Sequence, residues 1–178
     1  RESALPNTPP EGPLILAAIL RSFGAETHLI DLNAYRIKDE TAIKRNLPNG
    51  RHMTYQEAER MFLKHLYDAG DQDIVAFSGK ITTLRWQEEM AKIVRRHQPD
   101  AFLVSGNGLA TEIKMGLFNW IPELDGIARS EGDDAILIIA RDAKLVKEKG
   151  WNGAINSGKL SPFYKGEVNG RHRFMYEG

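Results

Sequence analysis

The chain contains no cysteine. This absence excludes disulfides, thiolate zinc sites, iron–sulfur ligation and cysteine nucleophiles within these 178 residues. It also fits a protein of a reducing compartment, because disulfides form and persist mainly in oxidising ones. We therefore expect a cytoplasmic protein.

The sequence also lacks an excess of either charge and any long apolar run. Lysine plus arginine and aspartate plus glutamate number 24 each, so no overall field attracts nucleic acid or an anionic membrane. The longest apolar stretches are far shorter than the roughly 18–20 residues that a membrane span needs. The expected partners therefore include no nucleic acid, and we expect no membrane span.

The remaining composition is that of an ordinary globular domain, with 42% hydrophobic and 27% charged residues. Helix-like periodicity alternates along the chain with short apolar runs typical of buried strands. Thr54 and Glu57 form a capping-box pattern before one of the helices, and Asn169-Gly170 predicts a hairpin turn within residues 154–176. The predicted helices cover residues 14–23, 55–69, 84–97, 110–119 and 135–149, and the predicted strands cover residues 26–32, 73–77, 101–104 and 126–128.

This alternation predicts an α/β fold with a doubly wound parallel sheet. Residues 1–150 would form the domain, with an insertion or irregular loop at residues 34–54. Residues 151–178 would form a hairpin-like extension or a linker toward a downstream domain. Because the chain opens with a loop and a helix, whereas such folds normally open with a central strand, we expect the first strand to lie upstream.

Small polar residues follow three of the predicted strands. Since parallel strands end at one edge of the sheet, where open α/β sheets bind ligands, these loops predict a ligand crevice. The alternative is that small residues are needed wherever a strand turns tightly into a helix; finding two such loops together favours the crevice. Lys80 lies at the predicted edge, although a solvated lysine is the simpler interpretation. The loop residues are Ser78, Gly79, Thr82 and Thr83, then Ser105, Gly106, Asn107 and Gly108, then Ser130, Glu131 and Gly132.

Other kinds of site have weaker support in these loops. Residues 106–108 have the G-x-G pattern of a dinucleotide site, but position 111 is threonine, and the pattern does not follow the first strand. The acidic residues at 131–134 could ligate a metal, although carboxylates at a helix start are more often caps. No histidine pair has metal-ligand spacing, and no hydrolase triad can be assembled.

Four stretches, in order, resemble one family. Residues 9–26 are similar to its PP-x-G-x-x-x-L-A-x-x-L opening, and residues 73–83 to its D-x-V-G-F-S-x-x-T stretch. Residues 98–108 and 122–133 are similar to its P-x-x-x-V-x-G-G and P-x-x-D-x-V-x-x-G-E-G-E stretches. The family is the cobalamin-binding domain of cobalamin-dependent radical S-adenosylmethionine enzymes, and the resemblance covers about residues 6–148.

The resemblance implies a Rossmann-like domain with flavodoxin-type strand order and a corrin ring across the carboxyl edge of the sheet. It implies no catalytic residue and no metal ligand in the chain itself. The residues that it assigns to the cofactor are Thr8, Pro9, Pro10 and Gly12 beside the ring, Ser78, Gly79, Lys80, Thr82 and Thr83 along the nucleotide tail, Ser105, Gly106, Asn107 and Gly108 at the corrin side chains, and Glu131 and Gly132 at the far rim.

The chain departs from the family pattern in three ways. It has no D-x-H-x-x-G signature, so we expect no histidine below the cobalt, and Asn107 stands where a second glycine is usual. It also lacks the C-x-x-x-C-x-x-C motif, so S-adenosylmethionine and a 4Fe-4S cluster would belong to a radical barrel domain downstream of Gly178.

The function that the resemblance implies is to present methylcobalamin to a substrate radical within a methyltransferase. An oxidative cyclase of the same family is a variant of this hypothesis. The alternative is a flavodoxin-like signalling or nucleotide-binding module without a corrin.

Overall fold

A computed structural model describes residues 10–32, 43–46 and 54–178. None of the helices in these ranges is long and apolar enough to cross a membrane. Short 3₁₀ turns at Ile81–Thr83 and Lys114–Gly116 accompany the main elements. Those elements are α1 (Glu11–Ser22), α2 (Tyr55–Ala69), β1 (Ile74–Ser78), α3 (Leu84–His97), β2 (Phe102–Gly106), α4 (Gly108–Ile113), α5 (Leu117–Trp120), β3 (Gly126–Arg129), α6 (Asp133–Asn156), β4 (Tyr164–Val168) and β5 (Arg171–Glu177).

The strands form one five-stranded sheet in the order β1-β2-β3-β5-β4. β1, β2, β3 and β5 are parallel, and β4 is antiparallel to β5. The predicted α/β class with a mostly parallel sheet is therefore confirmed. The predicted hairpin also forms, with Asn169-Gly170 between its strands, and its second strand lies within the sheet beside β3.

The sheet is covered on both faces, as a doubly wound fold requires. On one face Leu103 and Ile127 pack in a cluster with residues of α2 to α5. On the other face Phe102 and Val104 pack against α6 and the β5 side chains. Because neighbouring residues of β2 enter opposite clusters, its first three residues are all apolar rather than alternating, which is typical of a parallel strand buried on both faces.

Local sequence signals account for the ends of several helices. Thr54 and Glu57 form the predicted capping box: the Thr54 N–H donates to Glu57 Oε2 at 2.9 Å, and the Glu57 N–H donates to Thr54 Oγ1 at 3.3 Å. α6 is interrupted at Gly150, which has φ 67° and ψ 168°. The predicted helix at 110–119 is divided into α4, a 3₁₀ turn and α5, and Lys114 has a positive φ of 55° at the division.

The predicted strand at residues 26–32 is wrong. Residues 25–31 have no regular secondary structure, and Leu32 lies in a short 3₁₀ segment. Among the described residues β1 is the edge of the sheet and pairs only with β2. A strand exists through its pairing with a neighbour, so an apolar segment with no partner strand beside it stays irregular. Most of the predicted insertion at 34–54 lies outside the described residues.

Candidate functional site at the carboxyl edge of the sheet

Three strand-end loops lie together at the carboxyl edge of the sheet. Ser78 at the end of β1 is in register with Gly106 at the end of β2. The Asn107 side-chain amide donates to Ser78 Oγ at 3.2 Å, which links the first two loops. The Ser130 N–H donates to Thr111 Oγ1 at 3.3 Å and so ties the loop after β3 to α4.

Asn107 has a backbone conformation that suits glycine. Its φ of 70° and ψ of −165° fall in a region that side-chain-bearing residues rarely enter. The strain is offset locally because Asn107 Oδ1 accepts a hydrogen bond from the Gly108 N–H at 2.6 Å. Ser130, after β3, also has a positive φ, of 61°. Strained residues after two neighbouring strands are typical of a functional edge.

Three glycines leave open space along this edge. A Cβ at Gly12 or Gly108 would meet no heavy atom within 4 Å, and one at Gly106 would only touch Ala128 at 3.8 Å. The backbone at these points is therefore accessible to a molecule larger than a side chain, in the way that the crevice hypothesis requires.

Two other predicted glycines have a different role. A Cβ at Gly79 would collide with Thr83 and crowd Gln87, and one at Gly132 would come within 3.2 Å of Leu16. These positions are small because neighbouring protein atoms pack against them. For Gly79 and Gly132 the simpler explanation, a tight strand-to-helix connection, is sufficient.

A hollow of about 910 Å³ opens beside the loops, between α1, α6 and the ends of the strands. We call it the large hollow. Its rim carries Ser78, Gly106, Asn107 and Gly132, and it continues along β1 as far as Asp73. The apolar part of its walls comes mainly from α1 and α6, through Leu16, Leu20, Ile136 and Ile139. Charged and polar residues, among them Glu26, Asp73 and Lys144, also line it.

A second hollow, of about 410 Å³, lies on the other side of β1 and is called the small hollow here. It borders α2 and α3 through Phe62 and Trp86, and it contains Thr82 and Thr83. Ser78 borders both hollows. β1 therefore lies between the two threonines and the large hollow, whose rim includes Gly106 and Asn107.

Several predicted cofactor residues are engaged elsewhere. Ser105 is buried and its hydroxyl donates to Gln87 Oε1 at 2.7 Å. The Thr83 hydroxyl donates to the Lys80 carbonyl at 2.8 Å and accepts from Gln87 Nε2 at 3.2 Å. Lys80 is exposed and lines neither hollow.

The remaining predicted residues lie around the start of α1 and of α6. Pro10 is the N-cap of α1 and borders the small hollow. Glu131 is exposed beside Gly132. Thr8 and Pro9 lie outside the described residues.

Sequence reasoning assigned Gly12 of α1 to the site but missed the apolar side chains of that helix and His28. None of the α1 residues is buried, although the helix is largely apolar, and its apolar side chains line the large hollow. His28 borders both hollows, and its Nε2 lies 3.2 Å from Glu26 Oε1. The signal was present in the sequence: a helix that is apolar almost all round needs cover on more than one side.

In the part of the chain that the structure describes, no group of three or more histidine, aspartate or glutamate residues could hold a metal ion. Comparisons with protein-family models, with curated proteins and with solved structures found no match. The family resemblance therefore depends on the four stretches of this sequence alone.

Proposed function

We propose that this chain is a cobalamin-binding module. The observation that supports the proposal is the convergence of the three strand-end loops beside the large hollow, which Gly12 and Gly106 border. A Cβ at Gly12 or at the neighbouring Gly108 would meet open space. A corrin is a broad ring with many amide side chains, so its site needs clearance in the middle and hydrogen-bonding groups around it. The four family-like stretches supply the identity of the ligand.

The residues present fit such a ligand chemically. Ser78, Asn107 and Glu131 are exposed at the edge and offer a hydroxyl, a carboxamide and a carboxylate to amide groups. The exposed side chains would bind and orient the cofactor. The Gly108 N–H is already bonded to Asn107 Oδ1, so Gly108 would contribute clearance rather than a hydrogen-bond donor.

The role of the chain is to hold the cofactor rather than to transfer protons. A cobalamin supplies a cobalt-bound methyl group for transfer to a substrate. Within the proposal, a downstream radical barrel with S-adenosylmethionine and a 4Fe-4S cluster completes a methyltransferase, and the residues at the carboxyl edge orient the cofactor toward it. Leu16 and Ile136 in the walls of the large hollow would present an apolar surface to the ring.

Titration with hydroxocobalamin tests the proposal directly. We expect a change in the visible spectrum of the corrin and its retention with the protein in equilibrium dialysis. If a folded chain, checked by circular dichroism, leaves the spectrum unchanged and retains no corrin, the proposal is wrong. Retention of a flavin or a nucleotide instead would support the module without a corrin.

A matched pair of variants locates the site. Gly108→Leu adds a side chain into open space at the carboxyl edge, and we expect it to weaken corrin binding about tenfold or more, since each 1.4 kcal/mol lost is a factor of ten. Lys159→Leu places the same side chain at an exposed position beyond the far end of α6, and binding should stay unchanged. Equal binding by both variants would contradict the site.

A further inference from the structure

β4 is the last strand on its side of the sheet. Among the described residues it pairs only with β5, in antiparallel register. Asn169 and Gly170 join the two strands, and their φ angles of 53° and 72° are those of a two-residue turn with both residues left-handed. In such a hairpin the residues that flank the turn, here Val168 and Arg171, exchange both of their backbone hydrogen bonds. The turn therefore fixes which residues of β4 are bonded to β5.

The alternation along an antiparallel strand then identifies the free positions of β4. Residues that are bonded to the neighbouring strand alternate with residues whose N–H and C=O groups point away from it. Because Val168 is a bonded residue, Gly166 and Tyr164 are bonded as well. The backbone groups of Lys165 and Glu167 therefore point outward, where no described strand receives them.

Lys165 and Glu167 carry opposite charges at these two outward positions. Both side chains are exposed, and neither forms an ion pair within the described part of the chain. Since they are two residues apart, they lie on one face of the strand. Charges on an edge strand commonly protect it from pairing with other chains. Two opposite charges protect it less generally, because a strand with the reverse order of charges complements them.

A second copy of β4 in antiparallel orientation has that reverse order. When the two strands pair about Gly166, Lys165 lies opposite Glu167 of the second copy, and Glu167 lies opposite its Lys165. Both members of each pair direct their backbone groups toward each other, so they also exchange backbone hydrogen bonds. A slip of the second strand by two residues would place lysine opposite lysine or glutamate opposite glutamate, which is unfavourable. The charges therefore select a single register.

The other face of β4 has apolar groups that the same register would cover. Tyr164 is 39% exposed, and its side chain covers Gly166, because a Cβ at Gly166 would collide with it. In the register centred on Gly166, Tyr164 lies opposite Val168 of the second copy. Phe163, which is 69% exposed, directly precedes the strand and would lie beside the turn of the second copy. Pairing would therefore bury apolar surface as well as join charges.

We propose that β4 pairs with β4 of a second copy of this chain, in antiparallel orientation, so that the two five-stranded sheets become continuous across a two-fold axis at Gly166. A self-complementary contact of this kind closes as a dimer, and its main-chain hydrogen bonds are those of β-strand addition. The interface is small, so we expect a Kd on the order of 10–100 μM. The described residues that line the two hollows end at Lys144, so the dimer does not depend on the proposed function.

Sedimentation equilibrium of the full chain over a range of concentrations tests the proposal, and we expect a monomer–dimer equilibrium. Lys165→Glu and Glu167→Lys each place like charges in both cross-strand pairs, so each should raise the Kd about tenfold or more. Lys64→Glu is the matched control. It changes the same charge at a side chain that is 72% exposed, on α2 near the opposite edge of the sheet, and the Kd should stay unchanged.

The same two variants provide a rescue experiment. One variant has two acidic residues at the edge and the other has two basic residues, so every cross-strand pair between them is again of opposite charge. An equimolar mixture of Lys165→Glu and Glu167→Lys should therefore form a heterodimer at least as tightly as the original chain dimerises. The double variant with both substitutions in one chain should pair with itself. Failure of both rescues in folded chains, checked by circular dichroism, would contradict the register.

Amide hydrogen exchange followed by NMR identifies the strand that pairs. The amides of Lys165 and Glu167 should slow at least about twofold once half of the chains are paired, whereas the Gly166 amide, already bonded to β5, should change little. Unchanged exchange at Lys165 and Glu167 in a chain that dimerises would show that another surface is used and overturns the proposal.

Two further outcomes of the sedimentation experiment also overturn the proposal. A chain that stays monomeric at about 1 mM would show that Lys165 and Glu167 serve as edge protection. Assembly beyond the dimer would show a contact that does not close on a two-fold axis.

Discussion

β1 and β2 have almost the same composition but very different surroundings. Each is a five-residue apolar strand with a serine at or near its end. β2 lies between two strands, and its first four residues are buried. β1 has one neighbour, and none of its residues is buried. The comparison teaches that burial in this sheet depends on the elements beside a strand more than on the apolar character of the strand itself.

The two strands are also anchored differently at their amino ends. Asp125, just before β3, is buried; its Oδ2 accepts from the Leu103 N–H of β2 at 2.9 Å and from Arg95 at 2.7 Å. Burial raises the pKa of Asp125, and the charge of Arg95 is the largest influence that opposes the rise. Asp73, before β1, pairs with Lys147, and both side chains are largely exposed.

The largest effect is expected from removing the buried anchor. Asp125→Asn should destabilise the chain by about 3–5 kcal/mol, because it leaves the partly buried Arg95 guanidinium and the buried Leu103 N–H without their carboxylate. Asp73→Asn should cost no more than about 1 kcal/mol, since an exposed ion pair contributes little. Urea unfolding of the two variants measures both values. Similar losses for the two would show that β1 and β2 are anchored equally well.

Truncation within the strands gives the next largest difference. Leu103→Ala in β2 should cost about 2–5 kcal/mol, as for a fully buried leucine. Val75→Ala in β1 should cost less than about 1.5 kcal/mol, because its side chain is only partly removed from water. Chemical unfolding checks the pair.

The smallest effect is expected in the loop that joins the two strand ends. Asn107→Gly should change stability by no more than about 1 kcal/mol in either direction, because glycine relieves a strain of about 1–3 kcal/mol while losing the hydrogen bonds to Gly108 and Ser78, each worth about 1 kcal/mol. Thermal unfolding provides the measurement. Asn119→Gly, in α5, is the control and should lower stability by about 0.5 kcal/mol. A clear loss for Asn107→Gly would show that its side chain is needed to hold β1 and β2 together.

Features with a local cause could be predicted from the sequence. The capping box of Thr54 and Glu57 involves residues three apart, and the Asn169-Gly170 turn joins strands adjacent in the chain. The small residues after the strands were also correctly expected at one edge of the sheet, because parallel strands end together. Whether a small residue faces a ligand or the protein could not be predicted: Gly79 and Gly108 look alike in sequence, yet only Gly108 faces open space.

The amino-acid sequence by itself determined the α/β class, the helix and turn signals, and the apolar strands, since these depend on periodicity and on contacts between near neighbours. Only the tertiary structure decided which strands are paired on both sides, that Ser105 is bonded to Gln87 in the interior, and that residues 26–32 remain irregular. The physical reason is that a strand completes its backbone hydrogen bonds with a neighbouring strand that is often far away in the chain. Whether an apolar segment forms a strand therefore depends on the tertiary structure beside it.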